Sequence, residues 1–277
     1  MWIPPTVAPF LLPSQFRGYR PQAVTRDSIN RWLDQFDRAD RGALIHLLKH
    51  VVYFDQADVE KIIVEHNEKL LSQLAKAGIP PEQVIYVQID DAGSSSPVML
   101  NLLRDKGRLL QRSCRLIDGR DTLRLNEATA ELGTGAIVYV DDFSGTGDQF
   151  SAAHIFASQF IVGAFSEFYL APCICEEGMI TIARLGVEPF PKRIHAKDDR
   201  PLHPNCTRFD ARTKDKLVGL AHSIDPEEGL GYAGLATMVV FSHNAPDTVP
   251  LLLRGSIGQD PFCGVFPRWT DKPHAEA

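Results

Sequence analysis

The chain has 277 residues, 44% hydrophobic and 23% charged, an ordinary balance for a globular protein that buries a sizeable core. Its net charge of −6 counts against a protein whose main task is non-specific nucleic-acid binding. The five cysteines (Cys114, Cys173, Cys175, Cys206 and Cys263) are scattered and odd in number, so no disulfide framework follows from them.

The N-terminal stretch MWIPPTVAPFLLPSQF holds four prolines and no basic opening, which makes it a poor secretion signal. No apolar run nears the ~20 residues of a membrane span. The expectation is a reduced, cytoplasmic protein with no membrane contact and no nucleic-acid partner indicated, a local basic patch staying open.

Residues 1–25 read as an extended arm. Prolines at 4, 5, 9, 13 and 21 forbid a long helix, while Trp2, Ile3, Phe10, Leu11 and Leu12 give the arm surface to pack. Residues 26–80 read as a helical section. Ile29, Trp32, Leu33 and Phe36 recur at steps of three and four. Leu44, Leu47, Leu48 and Val51 repeat the pattern, as do Val59, Ile62, Ile63, His66, Leu70, Leu71 and Leu74. Gly78 and Pro80 end it.

Residues 81–277 read as an α/β domain with a C-terminal extension. VIYVQID (84–90) is a short β-branched run, a strand. DAGSSS (91–96) is a small-residue loop before a helix that Pro97 opens. CRLI (114–117) is a weaker strand. DTLRLNEATAEL (121–132) is a helix capped by Asp121 and stopped by Gly133. AIVYVDD (136–142) is nearly continuous in apolar character, as in a strand covered on both faces. Thr146 to Phe160 is helical. FSEFYLAPCIC (165–175) is a strand, EGMITIARLG (177–186) a helix, KLVGLAHSI (216–224) a helix and ATMVVFSH (236–243) a strand. The alternation predicts an α/β fold, with one mostly parallel sheet between Val84 and His243 flanked by helices. In such sheets ligands sit at the carboxyl ends of strands.

IVYVDDFSGTGDQF (137–150) carries the chemistry. Tyr139-Val140-Asp141-Asp142 has the form of the YxDD metal-binding motif of reverse transcriptases. That motif sits on a tight hairpin between antiparallel strands. Here a glycine loop follows, then apolar or small residues at 150, 153, 156, 157, 160 and 161, at helical steps. Strand, glycine loop and helix instead make an anion site. A helix N-terminus presents unpaired N–H groups and a partial positive charge. Gly145 and Gly147 let the backbone approach the oxygens, and Ser144 and Thr146 add hydroxyls. Two carboxylates just upstream accept hydrogen bonds from sugar hydroxyls. A ribose with a 5′-phosphate fits this order. Its hydroxyls meet Asp141 and Asp142, and its phosphate meets Ser144, Gly145, Thr146, Gly147, Asp148 and Gln149.

The same stretch resembles the phosphoribosyl diphosphate loop of type I phosphoribosyltransferases. Asp141 and Asp142 take the acidic places, and Thr146 and Gly147 the Thr-Gly. Asp148 and Gln149 depart from the usual small residue and closing threonine. An aspartate there repels a phosphate unless it turns outward or bonds the free amides in the phosphate's place. More specifically, the chain resembles a bacterial phosphoribosyltransferase-like group associated with anti-phage defence, retrons included. The shared features are Trp32 with Phe36-Asp37, the DDFSGTG loop, and VVFSHNAPDTVPLLLRG (239–255) closing with VFPRW (265–269). They span most of residues 27–269.

The resemblance implies a type I phosphoribosyltransferase-like fold, a ribose-phosphate or nucleotide ligand, and a protein partner in a defence complex. In the transferases a loop after the first strand binds diphosphate through backbone amides. Gly93, Ser94 and Ser95 take that part here, with Asp90 or Asp91 holding magnesium through water. A plain helix cap by Ser95 or Ser96 is the other reading of this loop. For an enzyme, the implied chemistry is transfer or cleavage at the anomeric carbon of ribose. A nucleotide-sensing or effector-docking module without turnover is the rival class.

Weaker signals have plain structural readings beside them. Arg112, Arg115, Arg120 and Arg124 suit a diphosphate or a solvated helix face. His195, Lys197, Arg200 and His203 suit a lid or a surface loop. Cys173-x-Cys175 with His203-x-x-Cys206 is an allowed zinc set, against a pair of core cysteines on one strand face. Asn244, Asp247 and Arg268 either complete the pocket or seal the sheet.

Overall fold

Helix α1 (Arg26–Asp34) opens on a capping box. The backbone N–H of Ser28 donates to the Thr25 hydroxyl at 3.1 Å, and that of Thr25 donates to the Ser28 hydroxyl at 2.8 Å. The computed structural model describes residues 11–89, 95–256 and 261–268. Residues 1–10 of the expected arm lie outside that range, and Leu12–Phe16 is a 3-10 turn that buries Leu12 and Phe16. The apolar face of α1 buries Ile29, Trp32 and Leu33, and the Trp32 indole N–H donates to the Leu252 carbonyl at 2.7 Å. Helix α2 (Arg41–Leu48) buries Leu44, Ile45, Leu47 and Leu48. The section expected to be wholly helical also contains a short strand, β1 (Val52–Phe54). Its β-branched and aromatic run follows the end of α2 and takes its partner from far along the chain.

Then come α3 (Gln56–Lys76), β2 (Val84–Gln88), α4 (Ser95–Lys106), β3 (Arg115–Asp118), α5 (Thr122–Leu132), β4 (Thr134–Val140), β5 (Phe143–Ser144), α6 (Asp148–Ser158), β6 (Ala164–Cys175), α7 (Glu176–Arg184) and β7 (Glu188–His195). Residues Ala57–Ile194 form one compact unit. Those up to Gln56 and from His195 onward form another.

The sheet of the first of these units is six-stranded, in the order β3-β2-β4-β6-β5, with β7 also paired to β6. The pairs β2–β3, β2–β4, β4–β6 and β5–β6 are all parallel. The fold is α/β, a mostly parallel sheet flanked by helices. Strand β4 is central, and Ala136, Ile137, Val138, Tyr139 and Val140 are fully buried, as the continuous apolar run requires. Val140 lies opposite Leu170 and Phe143 opposite Cys173, the same offset. Strands β4 and β5 are therefore one line along β6, interrupted only at Asp141 and Asp142. The core of this unit gathers Ile85, Val87, Ile117, Leu125, Ile137, Tyr139, Phe150, Tyr169 and Ile174.

Beyond β7 the structure corrects two expectations. The polar stretch from His195 is no exposed loop, for His195 and Arg200 are fully buried. The Met238 backbone N–H donates to His195 Nε2 at 3.1 Å, and Arg200 donates to the Leu235 carbonyl at 3.2 Å. Lys214, on α8 (Ala211–Ile224), donates to the carbonyls of His203, Pro204 and Cys206 at 3.1, 2.9 and 2.6 Å. Side chains that serve backbone groups make a polar stretch part of the core. The second correction concerns 236–243. Its strand, β8 (Val239–Phe241), does not join the large sheet but pairs in parallel with β1, Val52 facing Val239 and Phe54 facing Phe241. A short helix, α9 (Leu251–Arg254), follows. Trp32, Leu44, Leu217, Met238, Val240, Leu252 and Phe266 share the core of this second unit.

Candidate functional site

Parallel pairing brings the carboxyl ends of β2, β4 and β6 to one edge of the sheet, and Asp141 and Asp142 follow directly after β4. Both are buried. Asp141 is held from three directions. Its Oδ1 accepts from the Ser95 hydroxyl at 2.6 Å and from the Asp142 backbone N–H at 2.8 Å. Its Oδ2 accepts from the Tyr169 hydroxyl at 3.1 Å. Its own N–H donates to the Leu170 carbonyl at 3.1 Å, which continues the β6 pairing. Ser96 donates to the Val140 carbonyl at 2.6 Å and accepts from the Ile89 N–H at 3.1 Å. The two serines that open α4 thus tie the ends of β2 and β4 together.

The chain next runs along β6 as β5 and turns into α6. Gly147 stands at the turn with φ +85°, a left-handed conformation that favours glycine. It supplies no side-chain cap to α6. The Asp148 N–H donates instead to the Thr146 hydroxyl at 3.2 Å. The loop is also pressed against α7. A Cβ on Gly147 would lie 2.8 Å from Thr181 Cβ, and one on Gly178 would lie 2.8 Å from the Gly145 carbonyl oxygen and 3.0 Å from the Ser144 hydroxyl. Glycines on both sides let loop and helix touch. Ser144 is buried in this contact, while Asp148 and Gln149 are exposed at the start of α6.

Beneath the site, α6 covers the sheet with an aromatic and titratable layer. The Phe150 ring lies 5.1 Å from that of Tyr139 and 4.7 Å from that of Tyr169. Glu167 Oε2 accepts from the Tyr139 hydroxyl at 2.6 Å and lies 2.9 Å from His154 Nε2. Burial pushes the Glu167 carboxyl up, but the hydrogen bonds from His154 and Tyr139 outweigh it and hold the group below its ordinary range. Burial, with the Glu167 charge, drives the Tyr139 phenol well above its own.

A family model, PRTase-CE, matches residues 29–268. The chain belongs to the PRTase-CE family. It is a phosphoribosyltransferase-like protein, and the match runs through both compact units. No curated protein matches it.

Within this PRTase-CE chain, the structure brings together Ser95, Asp141, Asp142 and the run from Ser144 to Gln149. Asp90, Asp91, Gly93 and Ser94 lie outside the described residues. Three of the four arginines named between the two loops take acidic partners. Arg112 meets Glu68 at 2.6 Å, Arg115 meets Glu131 at 2.9 Å, and Arg120 meets Asp118 at 2.8 Å. Cys173 and Cys175 are buried in β6, and Cys206 donates to the Asp198 carbonyl at 3.1 Å. Among the described residues no group of three or more His, Cys, Asp or Glu side chains is gathered to hold a metal. No helix among them is long and apolar enough to cross a membrane.

Three contributors escaped the sequence reading. Tyr169 reaches Asp141 only because β6 pairs with β4 in that register, and Gly178 and Thr181 meet the loop only because α7 folds back over it. No local pattern signals either.

Proposed function

We propose that this PRTase-CE protein binds the ribose-phosphate part of phosphoribosyl diphosphate or of a nucleotide at residues 141–149. One observation carries the reading. Two buried carboxylates end a central parallel strand and lead, through a left-handed glycine, into the N-terminus of an 11-residue helix. The carboxylates suit sugar hydroxyls, and the opening turn of α6 suits a phosphate. Gly93, Ser94 and Ser95 take the diphosphate side. Magnesium bound largely through ligand phosphates needs only one or two protein carboxylates, so the lack of a larger acidic cluster among the described residues is compatible with it. Asp90 and Asp91, which follow β2 in the chain, are the residues we assign to it. The chemistry such a site serves is transfer or cleavage at the anomeric carbon, with catalysis by positioning and electrostatics.

A second reading, ligand sensing or effector docking without turnover, is favoured by Asp148. Its carboxylate stands in the first turn of α6, and its N–H is directed to Thr146. On the sequence resemblance we extend either reading to a role beside a protein partner in a cytoplasmic defence complex. Phage challenge with the parent and with Asp142→Asn tests that extension: protection by the parent that Asp142→Asn loses is expected, and no protection by the parent would remove it.

The central test is calorimetry with phosphoribosyl diphosphate, ribose 5-phosphate, NAD and nucleoside monophosphates, beside a product assay on the same compounds. At least one phosphorylated ribose should bind. Asp142→Asn should weaken it about ten- to a hundredfold, the loss of a hydrogen bond to a charged group. No binding by any of them would end the proposal. Binding without product would select the second reading.

A further inference from the structure

Helix α2 runs out into His46-Leu47-Leu48-Lys49-His50. The helical path continues past its last residue, for the Lys49 N–H donates to the Ile45 carbonyl at 3.3 Å and the His50 N–H to that of Leu47 at 2.9 Å. Four residues apart on such a path, His46 and His50 share one face. Their imidazole rings stand 4.9 Å apart, centre to centre, at an angle of 50°. His50 Nδ1 lies 2.8 Å from the His46 carbonyl oxygen. A carbonyl can only accept, so in the neutral ring Nδ1 carries the proton and Nε2 keeps its lone pair. A ring N–H bonded to a backbone carbonyl is the outer contact that orients a metal-binding histidine. Phe209, itself buried, packs against both rings, with its ring centre 4.7 Å from that of His46 and 5.4 Å from that of His50. His46 is exposed and His50 partly so, which leaves an entry path.

We propose that His46 and His50 form a two-imidazole chelate for a divalent late transition ion, copper, nickel or zinc, in the unit that holds α2. Two imidazoles bound to one such ion at ~2.1 Å place their ring centres about 4.5–5.2 Å apart for bond angles of about 90–110°. The observed 4.9 Å falls in that span. The donors and their surroundings select the ion. Among the described residues no third His, Cys, Asp or Glu joins the pair. Hard ions such as magnesium and calcium need oxygen donors and gain nothing here, whereas imidazole suits copper, nickel and zinc. Burial holds both rings below the ordinary histidine range, helped at His46 by the His50 charge and at His50 by Arg208 and Lys49, which favours the neutral ligand form. Arg208 is paired with Asp199 at 2.8 Å, which tempers its repulsion of a bound cation. With two protein ligands, the ion's other positions fall to water. The chelate is independent of the ribose-phosphate reading of residues 141–149.

The test is calorimetry on the full chain, freed of metal with a chelator, against copper, nickel, zinc and magnesium chlorides. Copper should bind tighter than nickel or zinc, and magnesium should not bind at this site. His46→Phe keeps an aromatic ring against Phe209 but offers no ligand atom, and His50→Gln removes the second imidazole. Each should weaken copper and zinc at least tenfold, since even the loss of an outer partner of a ligand costs about 10–100-fold. His222→Ala, a change to an exposed histidine of α8, should leave both affinities as they are. Equal affinities in the parent, His46→Phe and His50→Gln would overturn the chelate.

Electron paramagnetic resonance of the one-copper complex supplies an arm that needs no variant. The parent should show two equatorial imidazole nitrogens, and each single variant one. Urea unfolding supplies a third arm, because an ion that binds only the folded chain raises the midpoint with its concentration. Zinc should raise the parent's midpoint, excess chelator should reverse the rise, and His46→Phe should not respond. A parent copper signal with one imidazole nitrogen or none would overturn the proposal even if both variants failed to fold. So would a midpoint that zinc moves equally in the parent and in His46→Phe.

Discussion

Gly147→Ala should be damaging for a change that adds a single methyl group. Two costs add there. The backbone sits at φ +85°, and an L-residue in the left-handed region pays roughly 1–2 kcal/mol. The new Cβ would also lie 2.8 Å from Thr181 Cβ and 3.0 Å from its Cγ2, where carbon pairs prefer about 3.5–4.0 Å. Overpacking of that kind costs about 1–3 kcal/mol. The expected loss is about 2–5 kcal/mol, a large part of the ~5–15 kcal/mol that holds a typical protein together. Equilibrium urea unfolding followed by far-UV circular dichroism reads it. Two companions separate the terms. Gly147→Asn shares the clash but tolerates the left-handed region better, so it should recover only the dihedral part. Thr181→Gly removes both atoms the new methyl meets, so combined with Gly147→Ala it should show a favourable coupling of about 1–3 kcal/mol beyond additivity. A Gly147→Ala protein within about 0.5 kcal/mol of the parent, the range of ordinary surface changes, would refute the claim that the turn is pinned against α7.

Lys214→Met keeps the aliphatic stem but removes the donor from three carbonyls of one turn. It should cost about 1–3 kcal/mol in urea unfolding and open residues 196–210 to proteolysis, and an unchanged midpoint would show that the turn is held by other means. Trp32→Phe removes the donor to the Leu252 carbonyl and leaves space in a fully buried position. A loss of about 2–4 kcal/mol is expected, and less than 1 would count against the shared core of α1 and α9. Glu167 has its folded pKa held below the ordinary value of 4.5. Its contribution to stability is therefore complete above that value and is lost as pH falls through the lower, folded one. The stability of the parent should drop more steeply than that of Glu167→Gln over this acid window, whereas parallel profiles would show that the contact with His154 and Tyr139 adds nothing.

Local chemistry was legible in the sequence, and long-range pairing was not. The run Ala136–Val140 announces a strand covered on both faces, and a carboxylate pair followed by two glycines announces a turn into a helix. These conclusions need only neighbours in the chain, and the α/β fold with its parallel sheet follows from repeating them. The strand at 239–241 was visible by the same means. Its partner was not, since nothing in VVF distinguishes pairing with Val52–Phe54 from joining the large sheet. The loop holding His195, Lys197, Arg200 and His203 reads as a surface segment for a related reason. Polarity places a segment at the surface only when its polar groups have water to bond, and His195, Arg200 and Lys214 bond the backbone instead.

The acid pair shows the limit most sharply. By composition Asp141 and Asp142 are interchangeable, two carboxylates at one strand end. Asp141 is met by a phenol 28 residues later and a serine 46 residues earlier. The contact of Asp141 with Tyr169 is thus a property of strand register. A shift of one residue in the β4–β6 pairing would move the Tyr169 side chain to the opposite face relative to Asp141. It would remove one of the hydrogen bonds that the Asp141 carboxylate accepts.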